Sequence, residues 1–199
     1  MKKIILINLL LLTAIHLQAQ TSTQGQKVEP FVLQNETGQK LALADYASSK
    51  AVVVVFTHNH CPYSRLYKSR LQRLNSEYSG KGVTFLFVQP AISTDNSPGN
   101  DGNAVDKTNA PDNADFTYFK DTNQKVSQQL GATKTPEAVV LQPQNGDFLL
   151  RYKGAIDDNP QVEGYVKESY LKTALDAILG NQVPAVTQNR ATGCTIKRF

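Results

Sequence analysis

AVVVVFTHNHCPYSRLYKSRLQRLNSEYSGKGVTFLFVQP, residues 51–90, holds two apolar runs separated by a long amphipathic segment. The first run, 51–56, is β-branched and continuously apolar, the pattern of a central strand covered on both faces. Pro62 suits the first turn of a helix, where its missing N–H costs nothing. From there Tyr63, Leu66, Tyr67, Leu71, Leu74 and Tyr78 recur at helical spacing with basic residues between them, until Gly80 and Gly82 end the run. GVTFLFVQP, 82–90, reads as a second buried strand. Strand, helix and strand make a βαβ unit, whose crossover is almost always right-handed. Reaction sites in open α/β sheets lie beyond the carboxyl ends of the strands. Cys61 falls at such an end and at a helix start, with His60 adjacent and His58 one CxxC spacing upstream.

Outside this unit the chain offers little competing chemistry. It has two cysteines and three histidines; the remaining ones are Cys194 near the C-terminus and His16 near the N-terminus. MKKIILINLLLLTAIHLQAQ, residues 1–20, has two lysines, an apolar run and a small residue near a plausible cut at Ala19 or Gln20. It reads as a bacterial signal peptide. The run is short for a bilayer span and is interrupted by Asn8 and His16, so the mature protein is expected to be exported, periplasmic or secreted, with no stable membrane insertion. Loss of Lys2 and Lys3 takes the formal charge from +4 to about +2. That balance is too mild, and its basic residues too scattered, for a nucleic-acid partner. About 180 residues remain, enough for one domain with its own core. A disulfide is therefore not needed to hold the fold, and two cysteines permit one bridge at most.

The rest of the chain reads as short elements. EPFVLQNETGQKLALADYA, 29–47, predicts two strands around a turn at Asn35–Gly38. Residues 91–115 are rich in Asn, Asp, Gly and Pro and read as a long solvent loop; DNSPGNDGN lacks the twelve-residue pattern and closing Glu of a calcium loop. FTYF, 116–119, predicts a strand, and TNQKVSQQLGA a helix stopped by Gly131. EAVVLQPQNGDFLLRYKG predicts a hairpin around Pro143–Gly146. In QVEGYVKESYLKTALDAILG, Val162, Tyr165, Val166, Leu171, Leu175, Ile178 and Leu179 fall mostly on one side of a helix. The tail from 181 to 199 is irregular and carries Cys194.

A cysteine near neutral pH is mostly thiol unless its anion is stabilised. A helix N-terminus and neighbouring imidazolium groups can lower its pKa to roughly 3.5–7.5 from about 8.5. A thiolate so placed attacks a disulfide sulfur or a peroxide oxygen. The plain alternative is a small buried hydrophobe flanked by loop histidines.

These residues carry a resemblance. A strand, an F-T-x-x-x-C-P turn, a long helix, a strand, and a Thr-Pro dipeptide before the next strand are together similar to the thioredoxin-like order. Within it, FTHNHCPY, YSGKGVTFLFVQP, LGATKTPEAVVL, RYKGAIDDN and GCTIKRF resemble the redoxin branch, the alkyl hydroperoxide reductase/thiol-specific antioxidant type. The resemblance runs over residues 28–199. It implies an α/β, thioredoxin-like fold, a central mixed β-sheet flanked by helices, as a domain at 28–180 between the leader 1–20 and the tail 181–199. It further implies an exported thiol-based oxidoreductase or antioxidant with Cys61 as nucleophile. His58 and His60 would favour the thiolate, and Thr135-Pro136 would form a cis-proline loop against the active cysteine. Arg151 would be directed toward the sulfur, with Cys194 as the candidate resolving thiol. The partners implied are a thiol, disulfide or peroxide substrate and a protein reductant. No organic cofactor is implied, because electrons pass through sulfur.

The chain departs from that pattern at His58, where the family usually has cysteine. Without it Cys61 cannot close a local CxxC disulfide. The peroxiredoxin framework P-x-x-x-T-x-x-C is not reproduced either. Cys194 can supply the second sulfur only if the tail brings the two Cα atoms within about 7 Å; otherwise it is a solitary thiol. Two further readings stay open: copper or zinc held by His58, His60 and Cys61, and a binding module that kept the fold without the redox chemistry.

Overall fold

The computed structural model describes residues 25–93 and 116–198. The leader at 1–20 and most of the polar segment at 91–115 lie outside the described residues. The chain enters through β1 (Lys27–Val28), β2 (Val32–Gln34) and β3 (Lys40–Ala42), then a 3-10 turn at Leu43–Tyr46. The central unit follows as β4 (Ala51–Phe56), α1 (Pro62–Ser79) and β5 (Val83–Pro90). After it come β6 (Tyr118–Asp121), α2 (Lys125–Gln129), β7 (Lys134–Thr135), β8 (Glu137–Gln144) and β9 (Asp147–Gly154). The described chain closes with a 3-10 turn at Glu163–Tyr165, α3 (Tyr170–Leu179) and β10 (Cys194–Thr195).

Eight strands form one mixed sheet in the order β1-β9-β8-β4-β5-β6-β2-β3. β4 is parallel to β5 and antiparallel to β8, so it is hydrogen-bonded on both edges. All six of its residues are fully buried. Successive side chains of a strand point to opposite faces, and β4 feeds two cores accordingly. Val52, Val54 and Phe56 pack with Leu41, Leu43, Val126 and Ile196. Val53 and Val55 pack with Tyr67 and Leu71 of α1 and Leu171, Leu175 and Ile178 of α3. Each such aliphatic side chain contributes about 1.5–3 kcal/mol of burial, which makes β4 the anchor of the fold and holds its C-terminal end rigid. Among the described residues, no helix is long and apolar enough to cross a membrane.

Three local expectations shift. The strand after the polar segment is Tyr118–Asp121 rather than 116–119; Phe116 instead stacks on Phe87, with ring centroids 3.8 Å apart. The hairpin turn is confined to Asn145–Gly146, whose φ values of 54° and 85° are both positive, as the tightest hairpin turns require. Pro143 and Gln144 remain in the strand. The long amphipathic helix shortens to Tyr170–Leu179, leaving Val162 46% and Tyr165 72% exposed. Side chains ahead of it take the backbone donors a helix would use. Asn159 Oδ1 accepts the Gln161 and Val162 N–H groups at 3.2 and 2.8 Å, and Asp158 Oδ1 accepts that of Lys167 at 2.9 Å.

Candidate active site

The end of β4 leads directly into the turn that carries Cys61. The Thr57 N–H donates to the Val88 carbonyl at 2.9 Å, and that of Cys61 to His58 O at 2.9 Å. The His58 N–H donates to Ser64 Oγ of α1 at 3.2 Å, so the turn is tied to strand and helix alike. Cys61 is the N-cap residue of α1, with Pro62 following it at the helix start, and it is fully buried.

Across from it lies the β7–β8 loop. The Thr135–Pro136 peptide is cis, and the Thr135 carbonyl oxygen is 3.0 Å from Cys61 Sγ. Thr135 is itself fully buried. The loop is braced by Glu137, whose Oε2 accepts the backbone N–H groups of Thr133 at 2.7 Å and Lys134 at 2.9 Å. Glu137 is 3% exposed. Nothing in the sequence reading singled it out; its one signal is a carboxylate opening an apolar run directly after Thr-Pro.

The tail completes the site. β10 pairs antiparallel with β7, placing Cys194 opposite Thr135 and Thr195 opposite Lys134. Cys61 and Cys194 form a disulfide, S–S 2.19 Å and Cα–Cα 5.8 Å, across a separation of 133 residues. The tail is fastened on both sides of Cys194. Upstream, the Lys153 N–H donates to Thr187 O and the Asn189 N–H to Lys153 O, both at 3.0 Å. Downstream, the Ile196 N–H donates to Thr133 O at 3.0 Å and that of Lys197 to Ala91 O at 2.9 Å, while Ile196 sinks into the core. Two glycines permit this contact. A Cβ on Gly154 would lie 1.9 Å from Asn189 O, and one on Gly193 would lie 2.1 Å from Thr135 O.

The remaining candidates divide. His58 is half-buried, and burial first, with neighbouring His60 second, pushes its imidazole down to about 4. With Cys61 in its disulfide, His58 is therefore uncharged near neutrality. Its Nδ1 accepts the His60 N–H at 3.2 Å, so the ring proton resides on Nε2. His60 is exposed, its ring 5.1 Å from that of His58. Arg151 is not among the groups brought to the sulfurs: its Nε and Nη2 donate to Gln142 and Gln144 at 2.8 and 2.9 Å, toward the Asn145–Gly146 turn. Among the described residues, no group of three or more His, Cys, Asp or Glu side chains is placed to hold a metal ion. With its thiol spent in the disulfide, the His58–Cys61 segment offers a metal only its imidazoles.

Beside Pro136 a cavity of ≈ 150 Å³ opens between the core and the tail, lined in part by Tyr67, Asp157, Asn189, Arg190 and Thr192. That is about half the lower limit of roughly 300 Å³ for small-molecule sites, a size suited to a single side chain. Its floor is rigid. Asp157, 7% exposed, accepts the Tyr67 hydroxyl at 2.6 Å and Arg70 Nη1 at 2.9 Å. Burial and then this bond to Asp157 push the Tyr67 hydroxyl far up, keeping it protonated.

Among solved structures, the chain is similar to a hypothetical protein of Sinorhizobium meliloti 1021, with 25% identity, TM-score 0.69, and coverage of 88% of this chain and 94% of that one. An uncharacterized conserved protein from Geobacillus kaustophilus shares 29% identity at TM-score 0.69, covering 90% and 94%. At the level of fold alone, the chain is similar to the peroxidoxin BcpB of Mycobacterium tuberculosis, with 16% identity, TM-score 0.52 and coverage of 79% and 96%. The fold is thus α/β and thioredoxin-like. No curated protein matches the chain. Residues 24–159 match the AhpC/TSA family, a span that includes the Cys61 turn and the Thr135–Pro136 loop, and the chain belongs to that family.

Proposed function

We propose that the protein is an exported thiol oxidoreductase of the redoxin type whose working pair is Cys61 and Cys194. The observation that carries this reading is the bridge itself, which joins a sulfur at the start of α1 to one on a docked tail strand. The partial positive charge of a helix N-terminus favours a thiolate at Cys61. Thr135 and Pro136 form the wall against which that sulfur sits, and His58 contributes a neutral imidazole to the turn. Arg151 has no part in this reading. Reduced, the pair holds two electrons. Exchange with a disulfide closes the Cys61–Cys194 bond and releases two thiols; reaction with a hydroperoxide closes the same bond and releases an alcohol and water. Export rests on the leader pattern at 1–20 and on the bridge, since disulfides persist in oxidising compartments.

The test begins with fully reduced protein given one equivalent of hydrogen peroxide or of cystamine. We expect two protein thiols to disappear and the Cys61–Cys194 bridge to return, turnover to be sustained by dithiothreitol, and Cys61→Ser to abolish it. The reading fails if the folded, reduced protein consumes neither oxidant faster than the same chain unfolded in guanidinium. The arm that turns over faster identifies the substrate class.

A further inference from the structure

We propose that Glu137 is the positioning residue of the Cys61–Cys194 pair and sets how readily the two sulfurs join. This rests on the thiol–disulfide reading above and adds to it the group that holds the pair in register.

Glu137 acts through residues 133–135. All three hydrogen bonds of its side chain end on Thr133 and Lys134: Oε2 accepts their backbone N–H groups at 2.7 and 2.9 Å and the Thr133 hydroxyl at 3.3 Å. The same two residues hold the tail just beyond Cys194. The Thr133 carbonyl accepts the Ile196 N–H at 3.0 Å. Lys134 pairs with Thr195, and its Nζ donates to Thr195 Oγ1 at 2.8 Å. The third residue, Thr135, stands opposite Cys194 in the strand pair, and its carbonyl oxygen is 3.0 Å from Cys61 Sγ. Residues 133–135 are thus a bracket that meets both halves of the bridge, and Glu137 fixes two of its three members.

Glu137 also ties this bracket to the strand from which Cys61 springs. It opens β8 and lies opposite Phe56, the last residue of β4, five positions before Cys61. Phe56 is fully buried and Glu137 is 3% exposed, so the reference point is rigid. One sulfur is placed by the turn after β4, and the other by a bracket fastened to β4 through Glu137.

Without this side chain the Thr133 and Lys134 N–H groups lose their acceptor, and the β7 backbone must shift to find another. The positions open to Cys194 then spread, and joining the sulfurs costs more conformational entropy. A brace of the fold alone would stabilise reduced and bridged protein equally and leave their equilibrium untouched. A positioning residue acts on the difference between them.

The experiment measures the equilibrium between the reduced full-length protein and oxidised dithiothreitol. In that exchange two electrons and two protons pass from the Cys61 and Cys194 thiols to the reagent's disulfide. The protein bridge closes, and the reagent leaves as a dithiol. The bridged fraction is read by mass after alkylation, across graded ratios of reduced to oxidised reagent. Glu137→Ala should make the bridge easier to reduce by about tenfold, the factor that about 1.4 kcal/mol yields. Glu137→Asp keeps a carboxyl but is one methylene too short to span Thr133 and Lys134 together. It should shift the constant the same way by about threefold or more. Glu137→Gln keeps an oxygen at full reach and should stay within about twofold of wild type. Leu171→Ala opens a cavity in the α3 core, weakens the fold without touching the bracket, and should leave the constant unchanged.

The assignment is overturned if Glu137→Ala and Glu137→Asp match wild type, if Leu171→Ala shifts the constant as far as they do, or if Glu137→Gln shifts with them. Should Glu137→Ala not fold, Glu137→Asp against Glu137→Gln decides. The constant is an equilibrium property, obtained even where no turnover is sustained. Failure of the oxidoreductase reading would show as absent turnover and leave these ratios in place.

Discussion

Gly193→Ala tests the tail docking with the least chemical change, one methyl group. Gly193 is not among the residues with positive φ, so alanine is conformationally acceptable and the effect is purely steric. An ideal Cβ would stand 2.1 Å from the Thr135 carbonyl oxygen and 2.7 Å from its carbon. Both are backbone atoms of a buried loop braced by Glu137, so the tail must yield. Restoring a contact of about 3 Å needs a retreat of roughly 0.9 Å, and overpacking of this kind costs about 1–3 kcal/mol. The Cα separation of Cys61 and Cys194 would move from 5.8 Å toward the upper end, about 6.8 Å, of what a disulfide spans. The bridge should therefore become easier to reduce by roughly 5- to 140-fold in equilibrium constant. The assay is the fraction of bridged protein across graded ratios of reduced to oxidised dithiothreitol, read by mass after alkylation. Gly164→Ala is the control, because nothing lies within 4 Å of a Cβ there. A Gly193→Ala protein whose exchange constant equals that of wild type and of the control would refute the close tail–loop contact.

Further outcomes follow from the surroundings of the pair. His58 sits at about 4 in the fold against 6.5 as its ordinary value. The unfolded chain therefore binds the proton first, and this share of stability, complete above pH 6.5, is lost as pH falls toward 4. Urea unfolding from pH 7 to 4 should show wild type losing about 2–3 kcal/mol more than His58→Asn, after discounting for the ring's partial exposure; parallel curves would contradict the burial of the imidazole. Glu137→Ala leaves the Thr133 and Lys134 N–H groups unpaired and should cost about 2–4 kcal/mol in denaturant unfolding. Glu137→Gln, which keeps an acceptor oxygen, should cost well under half of that. Asp157→Ala leaves Arg70, 6% exposed, with the Asn159 carbonyl at 2.6 Å and the half-exposed Glu163 carboxylate at 3.9 Å as its remaining partners, and should destabilise by about 2–4 kcal/mol. The Arg70→Met, Asp157→Leu double variant, which removes both charges, should recover much of the loss.

The βαβ unit was legible because its signals are local. A six-residue β-branched apolar run fits the middle of a sheet, Pro62 suits the first turn of a helix, and Tyr67, Leu71, Leu74 and Tyr78 mark the face that α1 packs on the core, whereas Leu66 of the same periodic set is 47% exposed. The same logic located Cys61 at a strand end and helix start. It misjudged 161–169, because Asp158 and Asn159 draw off backbone donors through side-chain bonds that periodicity does not register.

The second half of the site was not legible in this way. Cys194 is 133 residues from Cys61, and its irregular tail has no periodicity to say where it lies. Tertiary structure brought them together, through β10 on β7, Ile196 in the core and two glycines where backbone meets backbone. His58 shows the same division. Sequence adjacency suggests a cation beside the sulfur, but charge state depends on desolvation, and only the packed chain specifies how much water the ring retains. The residues and local order of the Cys61 turn belong to the sequence. The partner sulfur and the neutral histidine belong to the fold, because each depends on contacts between distant segments.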